Sequence, residues 1–457
     1  MIIAPVRSQV AFSDGRLDAK YHCSPGVLAN ERMQTLALAG AELRPVAGDA
    51  GLGQVGSTSR TRRVYAAQGE ESLPYLRPYD VFDYLPQPAD QLSKSGSIGW
   101  EGLVPNEGTI LQTCSGRNLG PLAYADSYLS RFVVSDDMLR LNIDAEEDRF
   151  YVFAFLRTPT GQALLTRSKT GNVIDHLSPD DLGAVLVPFF DDALQSQTVA
   201  DMKHAVTLRE AARERLDELI DEFESRVPGP ARDGRLADGW THQASALGGR
   251  LDAAFHDPLV TSVRNANNVA GGVRVGDVAE TFIPGRYKRY YVEPEHGKPI
   301  VSGRQLLQTQ PINLRYIAAR SFDFNRYSLE EGMLAFGAEG RAEDRISQPV
   351  LTTGDRTDWL ANNHVMRVRP RAGVNPGWLY LCFASWQVQA QVKAQSCGSV
   401  VDAVYPGDLD DVILPPIDEV RGDAAYQCWK DFAEANRLEA NAIDRLESSM
   451  LASVEAS

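Results

Sequence analysis

Gly171-Asn172-Val173-Ile174-Asp175-His176-Leu177-Ser178-Pro179-Asp180-Asp181-Leu182, followed by Val185-Leu186-Val187-Pro188, returns 227 residues later as Gly398-Ser399-Val400-Val401-Asp402-Ala403-Val404-Tyr405-Pro406-Gly407-Asp408-Leu409, followed by Val412-Ile413-Leu414-Pro415. Other pairs recur in the same order. Gly15-Arg16-Leu17-Asp18-Ala19-Lys20-Tyr21-His22 matches Gly249-Arg250-Leu251-Asp252-Ala253-Ala254-Phe255-His256, and Glu107-Gly108 and Gly116-Arg117 match Glu331-Gly332 and Gly340-Arg341. A period this long exceeds the roughly 20–50 residues of a solenoid repeat, so the chain is a tandem pair of domains.

Each copy closes with a helical pattern. From about Val199 to Arg226, Ala205, Leu208, Ala212, Leu216, Leu219 and Phe223 fall at steps of three and four, and Val227-Pro228-Gly229-Pro230 ends the run. From about Asp423 to Leu451, Phe432, Ala435, Ala442, Leu446 and Met450 do the same, and the 227 offset pairs Leu216 with Ile443, Leu219 with Leu446 and Phe223 with Met450. A narrow apolar stripe on a helix of roughly 42 Å predicts pairing of the two helices, through Leu208, Leu216, Leu219, Phe223, Ile443, Leu446 and Met450. The competing expectation is two separate helices, each packed on its own domain. The remainder of each copy reads as mixed, β-rich structure. Phe132-Val133-Val134, Leu351-Thr352-Thr353 and His364–Val368 look like strands, and Phe150–Leu156 and Trp378–Trp386 look helical.

The chain has 457 residues and a net charge of −15, with 43% hydrophobic and 23% charged residues, as expected of a globular protein with a sizeable core. The charge is uneven. Residues 1–190 carry −5, 191–232 carry −4, 233–416 carry −1 and 417–457 carry −5. Much of the acidity therefore sits on the helical segments, and whole-chain charge does not exclude a polyanionic partner. Five scattered cysteines without a C-x-x-C fit a reducing cytoplasm, and no signal peptide or membrane-spanning run is evident.

Catalytic signatures are missing. There is no phosphate-cradling G-x-x-x-x-G-K-[ST] loop, no Asn-Pro-Pro-aromatic or Asp-Pro-Pro-aromatic run, and no H-x-x-x-H or H-E-x-x-H among seven histidines. Phe336-Gly337-Ala338-Glu339-Gly340 aligns with Thr113-Cys114-Ser115-Gly116 and reads as a shared turn; Asp180-Asp181 reads as a turn or helix cap. His22 and His256 read as structural. No catalytic residue, metal site or cofactor is expected.

One chemical pattern does repeat. Arg60-Thr61-Arg62-Arg63-Val64-Tyr65 aligns with Arg286-Tyr287-Lys288-Arg289-Tyr290-Tyr291, three cations at matching places with aromatics between them. Such side chains neutralise phosphates, and arginine also grips guanine edges. A single cluster would read as a charged, aggregation-resistant edge strand. Its recurrence favours DNA contact through Arg60, Arg62, Arg63, Arg286, Lys288 and Arg289, with Arg117 and Arg341 adding contacts from the shared turn.

The Arg-Leu-Asp-Ala-x-aromatic-His openings, the Gly-x-Val…Pro-x-Asp-Leu closings and the terminal helices together resemble the specificity (S) subunit of type I restriction-modification systems, over essentially the whole chain. The resemblance implies an α+β fold of two target-recognition domains, residues 1–190 and 233–416. Helical segments 191–232 and 417–457 then pair as an antiparallel coiled coil. It also implies a cytoplasmic, non-catalytic subunit that reads a bipartite duplex for two partner adenine methyltransferase subunits and, through them, a restriction and translocation subunit of a phage-defence complex. The alternative is a protein-binding scaffold of a defence complex that keeps the fold without reading DNA. The acidic cluster Asp144-Ala145-Glu146-Glu147-Asp148 makes the first domain the weaker DNA reader.

Overall fold

A computed structural model describes residues 22, 24–167, 175–227, 229–230, 239–318, 324–340, 346–398 and 401–456. Gly15–Tyr21 of the first opening motif, Gly171–Ile174, Ser399, Val400 and Arg341 lie outside the described residues. The chain forms two compact units, Met1–Glu210 with Ala435–Ser457, and Ala211–Glu434, so each unit contains part of both long helices.

The first unit holds a four-stranded antiparallel sheet in the order Gln54–Ser57, Met138–Asn142, Ile110–Thr113, Leu122–Tyr124. A smaller sheet runs Asp90–Ser93, Ser72–Leu76, Val133–Val134, its first pair antiparallel and its second parallel. Strand Glu42–Pro45 pairs with Leu186–Phe189. Helix Glu146–Arg157 lays Phe150 to Leu156 into the core, where Phe150 stacks on Tyr124 at 5.0 Å. A helix segment apolar on every side belongs inside a unit, not on its surface.

The second unit repeats this plan, with one strand more in its small sheet. Its four-stranded sheet runs Ala279–Phe282, Val365–Pro370, Leu334–Gly337, Val350–Leu351. Its small sheet runs Tyr291–Val292, Arg315–Ala318, Gly297–Val301, Leu360–Ala361, with the last pair parallel as before. Helix Pro376–Ala384 buries Trp378 to Phe383, and the Asn375 side chain caps it by accepting from the Gly377 and Trp378 N–H groups at 2.9 and 3.1 Å. Ser385 breaks the predicted Trp378–Trp386 run, and a separate helix starts at Trp386. The predicted 351–353 strand is shorter than expected, because Thr353 turns its hydroxyl to the Trp429 carbonyl at 3.0 Å.

The repeated sequence motifs now have physical reasons. Glu-Gly recurs because Gly108 and Gly332 both sit at left-handed backbone, φ 84° and 79°, which a side chain disfavours. The closing motifs pin the glycine-rich turns: Leu177 N–H donates to the Cys114 carbonyl at 2.9 Å, and Val404 N–H donates to the Ala338 carbonyl at 3.0 Å. Asp181 is a cap, accepting from the Ser178 N–H at 2.8 Å. In the second opening motif Arg250 binds Asp252 at 2.8 Å and lies over the Phe255 ring, while the buried His256 ring meets the Arg250 carbonyl at 2.8 Å.

The long helices exceed their predicted extents, spanning Asp192–Arg226 and Glu419–Glu455. Both begin earlier than the apolar stripe suggests because an aspartate 227 positions apart caps each one. Asp191 accepts from the Ala193 and Leu194 N–H groups, and Asp418 accepts from the Arg421 N–H at 3.1 Å. Within the first unit the helices run antiparallel: Arg445 binds Asp201 at 2.7 Å, and Arg209 binds Glu439 at 2.7 Å. Within the second, Arg421 binds Glu222 at 3.2 Å.

The buried positions Met202, Ala205, Arg209, Ala212, Leu216, Leu219 and Phe223 follow a three–four alternation, the seven-residue repeat of a helix seam. Leu446 and Met450 do more than pair helices, since they join the first unit's apolar core with Phe153, Phe155 and Met202. Leu208 and Ile443 are only half-buried, at the margin of the stripe.

Charge interrupts the seam at one layer. The fully buried Glu439 carboxylate is held by Arg209 and by Arg157 of the 146–157 helix, at 2.7 and 2.9 Å. Arg209 also reaches Asn436, whose amide donates to the Tyr84 hydroxyl at 2.9 Å. Burial pushes the Glu439 carboxyl up, but the two guanidiniums outweigh it and hold it well below the usual carboxylate range. The sign of the pH dependence follows. The stabilisation is complete above the ordinary glutamate value of about 4.3 and fades as pH falls below it. Thermal melts between pH 6 and pH 2 are expected to show this loss, and Glu439→Gln should flatten that part of the profile.

Candidate nucleic-acid interface

The small sheets position the repeated basic segments. In the second unit Tyr291 pairs with Ile317 at the sheet edge, and the cations directly precede it. In the first unit Tyr65 forms an isolated bridge to Leu92, the residue at the equivalent place in the matching strand. Backbone bonds dock the segment there, from Ala66 N–H to the Gln91 carbonyl at 2.9 Å and from Ser93 N–H to the Val64 carbonyl at 2.7 Å. Two segments aligned by sequence therefore occupy the same edge of the same sheet in each unit.

The side chains divide by their partners. Arg60, Arg62, Arg286 and Lys288 are exposed, and none is ion-paired among the described residues. Lys288 lies over the Tyr290 ring at 5.0 Å. The third cation of each set is held in place. Arg63 donates to the Tyr75 hydroxyl at 2.9 Å and faces the Asp136 carboxylate at 3.8 Å. Arg289 donates to the Asn363 side-chain oxygen at 2.5 Å. Asp136 and Asn363 are themselves 227 positions apart, so one scaffold position fixes the third arginine in both units, with a charge in one and an amide in the other.

Arg117 is exposed in the turn after Cys114, beside the Ser115–His176 bridge, and is not part of the edge segment. Arg341 falls outside the described residues. Arg289, Tyr291 and Arg315 line one cavity of about 190 Å³ together with Gln305, Asn313 and Asn362. Arg315 was not among the sequence-selected residues. It reaches the site because its strand pairs antiparallel with the 297–301 strand and neighbours the Tyr291 edge.

Sequence reasoning also missed a matched pair of arginines beneath these surfaces. Arg367, fully buried, donates to the carbonyls of Asn362, Val365, Tyr327 and Ala361, and burial pushes its pKa down to about 10. Arg140, 227 positions earlier, donates to the Val104 and Leu103 carbonyls, and burial lowers it too. The signal was available, because an arginine inside an otherwise apolar strand recurs at the repeat offset. Arg367→Met removes the donors from four carbonyls, and we expect a loss of about 3 kcal/mol in urea unfolding.

Fold and site together describe a tandem-repeat α+β protein whose two units each carry an exposed basic–aromatic segment on a sheet edge. No protein-family profile and no curated protein matches the sequence. Among solved structures the chain is similar to the S subunit of a type I restriction-modification system from M. genitalium. The identity is 12% over 90% of this chain and 92% of that one, with a TM-score of 0.28. It is also similar to the HsdS subunit from Thermoanaerobacter tengcongensis, with 15% identity, 90% and 98% coverage and a TM-score of 0.27. A chain from a study of type I restriction-modification complex assembly shows 16% identity, 91% and 97% coverage and a TM-score of 0.29. No helix among the described residues is long and apolar enough to cross a membrane.

Proposed function

We propose that the chain is a non-catalytic DNA sequence-recognition subunit of a type I restriction-modification or related phage-defence complex. Residues 1–190 and 233–416 would each read part of a bipartite duplex target. The helical segments 191–232 and 417–457 would dock two adenine methyltransferase subunits, and through them a restriction and translocation subunit, in the cytoplasm. The observation that carries this is the recurrence of one basic–aromatic segment, docked at the same sheet edge in two units of the same topology. Phosphate contacts position a duplex and base contacts specify it, so a conserved edge with divergent surroundings suits two different half-sites. Exposed, unpaired Arg60, Arg62, Arg286 and Lys288 supply the charge; Arg63 and Arg289 supply oriented guanidiniums. Binding of the protein with its methyltransferase to random-sequence duplex libraries tests it. Enrichment of a split motif is expected, and no enrichment at low salt would sink it.

A second reading, a protein-binding scaffold without DNA recognition, is favoured by one observation. In the first unit Asp136 stands against Arg63. Its test is duplex affinity of the Arg60/Arg62/Arg63→Ala variant, which on that reading equals the wild type.

A further inference from the structure

We infer that the cavity bounded by Arg289, Tyr291 and Arg315 in the second unit is a phosphate site, seating one backbone phosphate of the bound duplex, and that the first unit has no counterpart. This rests on the DNA-recognition reading of the same edge. Among the described residues the lining has two guanidiniums and no carboxylate, and its volume of about 190 Å³ leaves room for a phosphate with part of its sugar. Neither Arg289 nor Arg315 is ion-paired among the described residues. Both line the cavity beside Tyr291. Burial pushes that phenol up, yet the two guanidiniums outweigh burial and hold it below the usual tyrosine range. Arg315 also lies over the Tyr291 ring at 5.0 Å. Two cations beside one phenol, with no acid among the described residues to neutralise them, leave unmet positive charge at a site open to a ligand.

The duplicated plan provides an internal comparison. The residue matching Arg315 in the first unit's small sheet is Asp90, bound to Arg77 at 2.8 Å. The residue matching Asn363 is Asp136, which faces Arg63. Among the described residues the two guanidiniums of the second unit meet an amide and a phenol ring but no carboxylate, whereas in the first two guanidiniums meet two carboxylates. Arg60 and Arg62 stay exposed on the first unit's edge, but the position behind it is balanced there and anion-seeking in the second unit, a difference that a purely structural role for the arginines would not require.

The test measures duplex affinity of the full protein with its methyltransferase at several salt concentrations, on target and scrambled DNA. Arg315 is exposed, so Arg315→Gln should fold normally. Loss of one phosphate contact is expected to weaken both DNAs by a similar factor and to reduce the log–log salt slope by about 0.9. Arg63→Gln should change the slope less. An unchanged slope with Arg315→Gln, relaxed preference at a single base pair, or an equal effect of Arg63→Gln would overturn the assignment. If the wild type binds no duplex, the DNA-recognition reading fails by itself, and calorimetric titration with inorganic phosphate decides the site. Binding lost in Arg315→Gln upholds an anion site, and no binding to the wild type removes it.

Discussion

Glu439→Ala is expected to destabilise the protein by about 3–5 kcal/mol, the largest effect of any single substitution considered. The carboxylate is fully buried and holds Arg157 and Arg209, so its removal leaves two buried guanidiniums without the charge that pairs them. The loss should appear as an early transition in urea or heat followed by circular dichroism. Replacing all three residues with apolar side chains of similar volume should restore most of the stability, because the desolvation cost then disappears along with the attraction. If Glu439→Ala melts like the wild type, the charged layer is not holding the helix seam. The layer also interrupts an otherwise apolar seven-residue repeat, a place where buried polar contacts fix helix register. The triple apolar variant should therefore be stable yet less particular about register, which disulfide trapping between the helices would reveal.

The second large effect is on DNA. Arg286, Lys288 and Arg289 together should account for three phosphate or base contacts by the second unit. Their joint change to alanine is expected to weaken duplex binding at least a hundredfold, roughly 3 kcal/mol, and to lower the salt slope by about 0.9 for each that contacts a phosphate. Methylation by the partner should fall in parallel. Arg286 and Lys288 are exposed, and Arg289 loses one bond to the Asn363 side chain and its place over the Tyr287 ring, so the fold should persist. Wild-type affinity and slope in this variant would remove the basic edge from the interface.

Much of the architecture could be read before any coordinates. The closing motif and its copy at offset 227 announced two domains, and both have the same four-stranded sheet order, with small sheets that match apart from one added edge strand. The helical stripes announced two long helices, although the first extends to Asp192, because the Asp191 cap lies outside the apolar pattern. The candidate interface was only partly visible. Arg289 was marked by its repeated neighbours, but Arg315 stands alone in sequence and joins it through strand pairing. Arg140 and Arg367 were passed over because an arginine in an apolar strand looks exposed until the carbonyls around it are known.

The amino-acid order by itself determined the duplication, the helical periods and the alignment of the basic segments, since these depend on side chains repeating at fixed steps along one chain. Tertiary structure alone decided which charges meet. Glu439 reads as one more acid on an acidic helix until Arg157, from a distant element, is folded against it. Asp136 and Asn363 likewise gain meaning only beside Arg63 and Arg289. Coulomb and hydrogen-bond energies depend on separation in space and on the water excluded between partners, and neither quantity is a local property of the sequence.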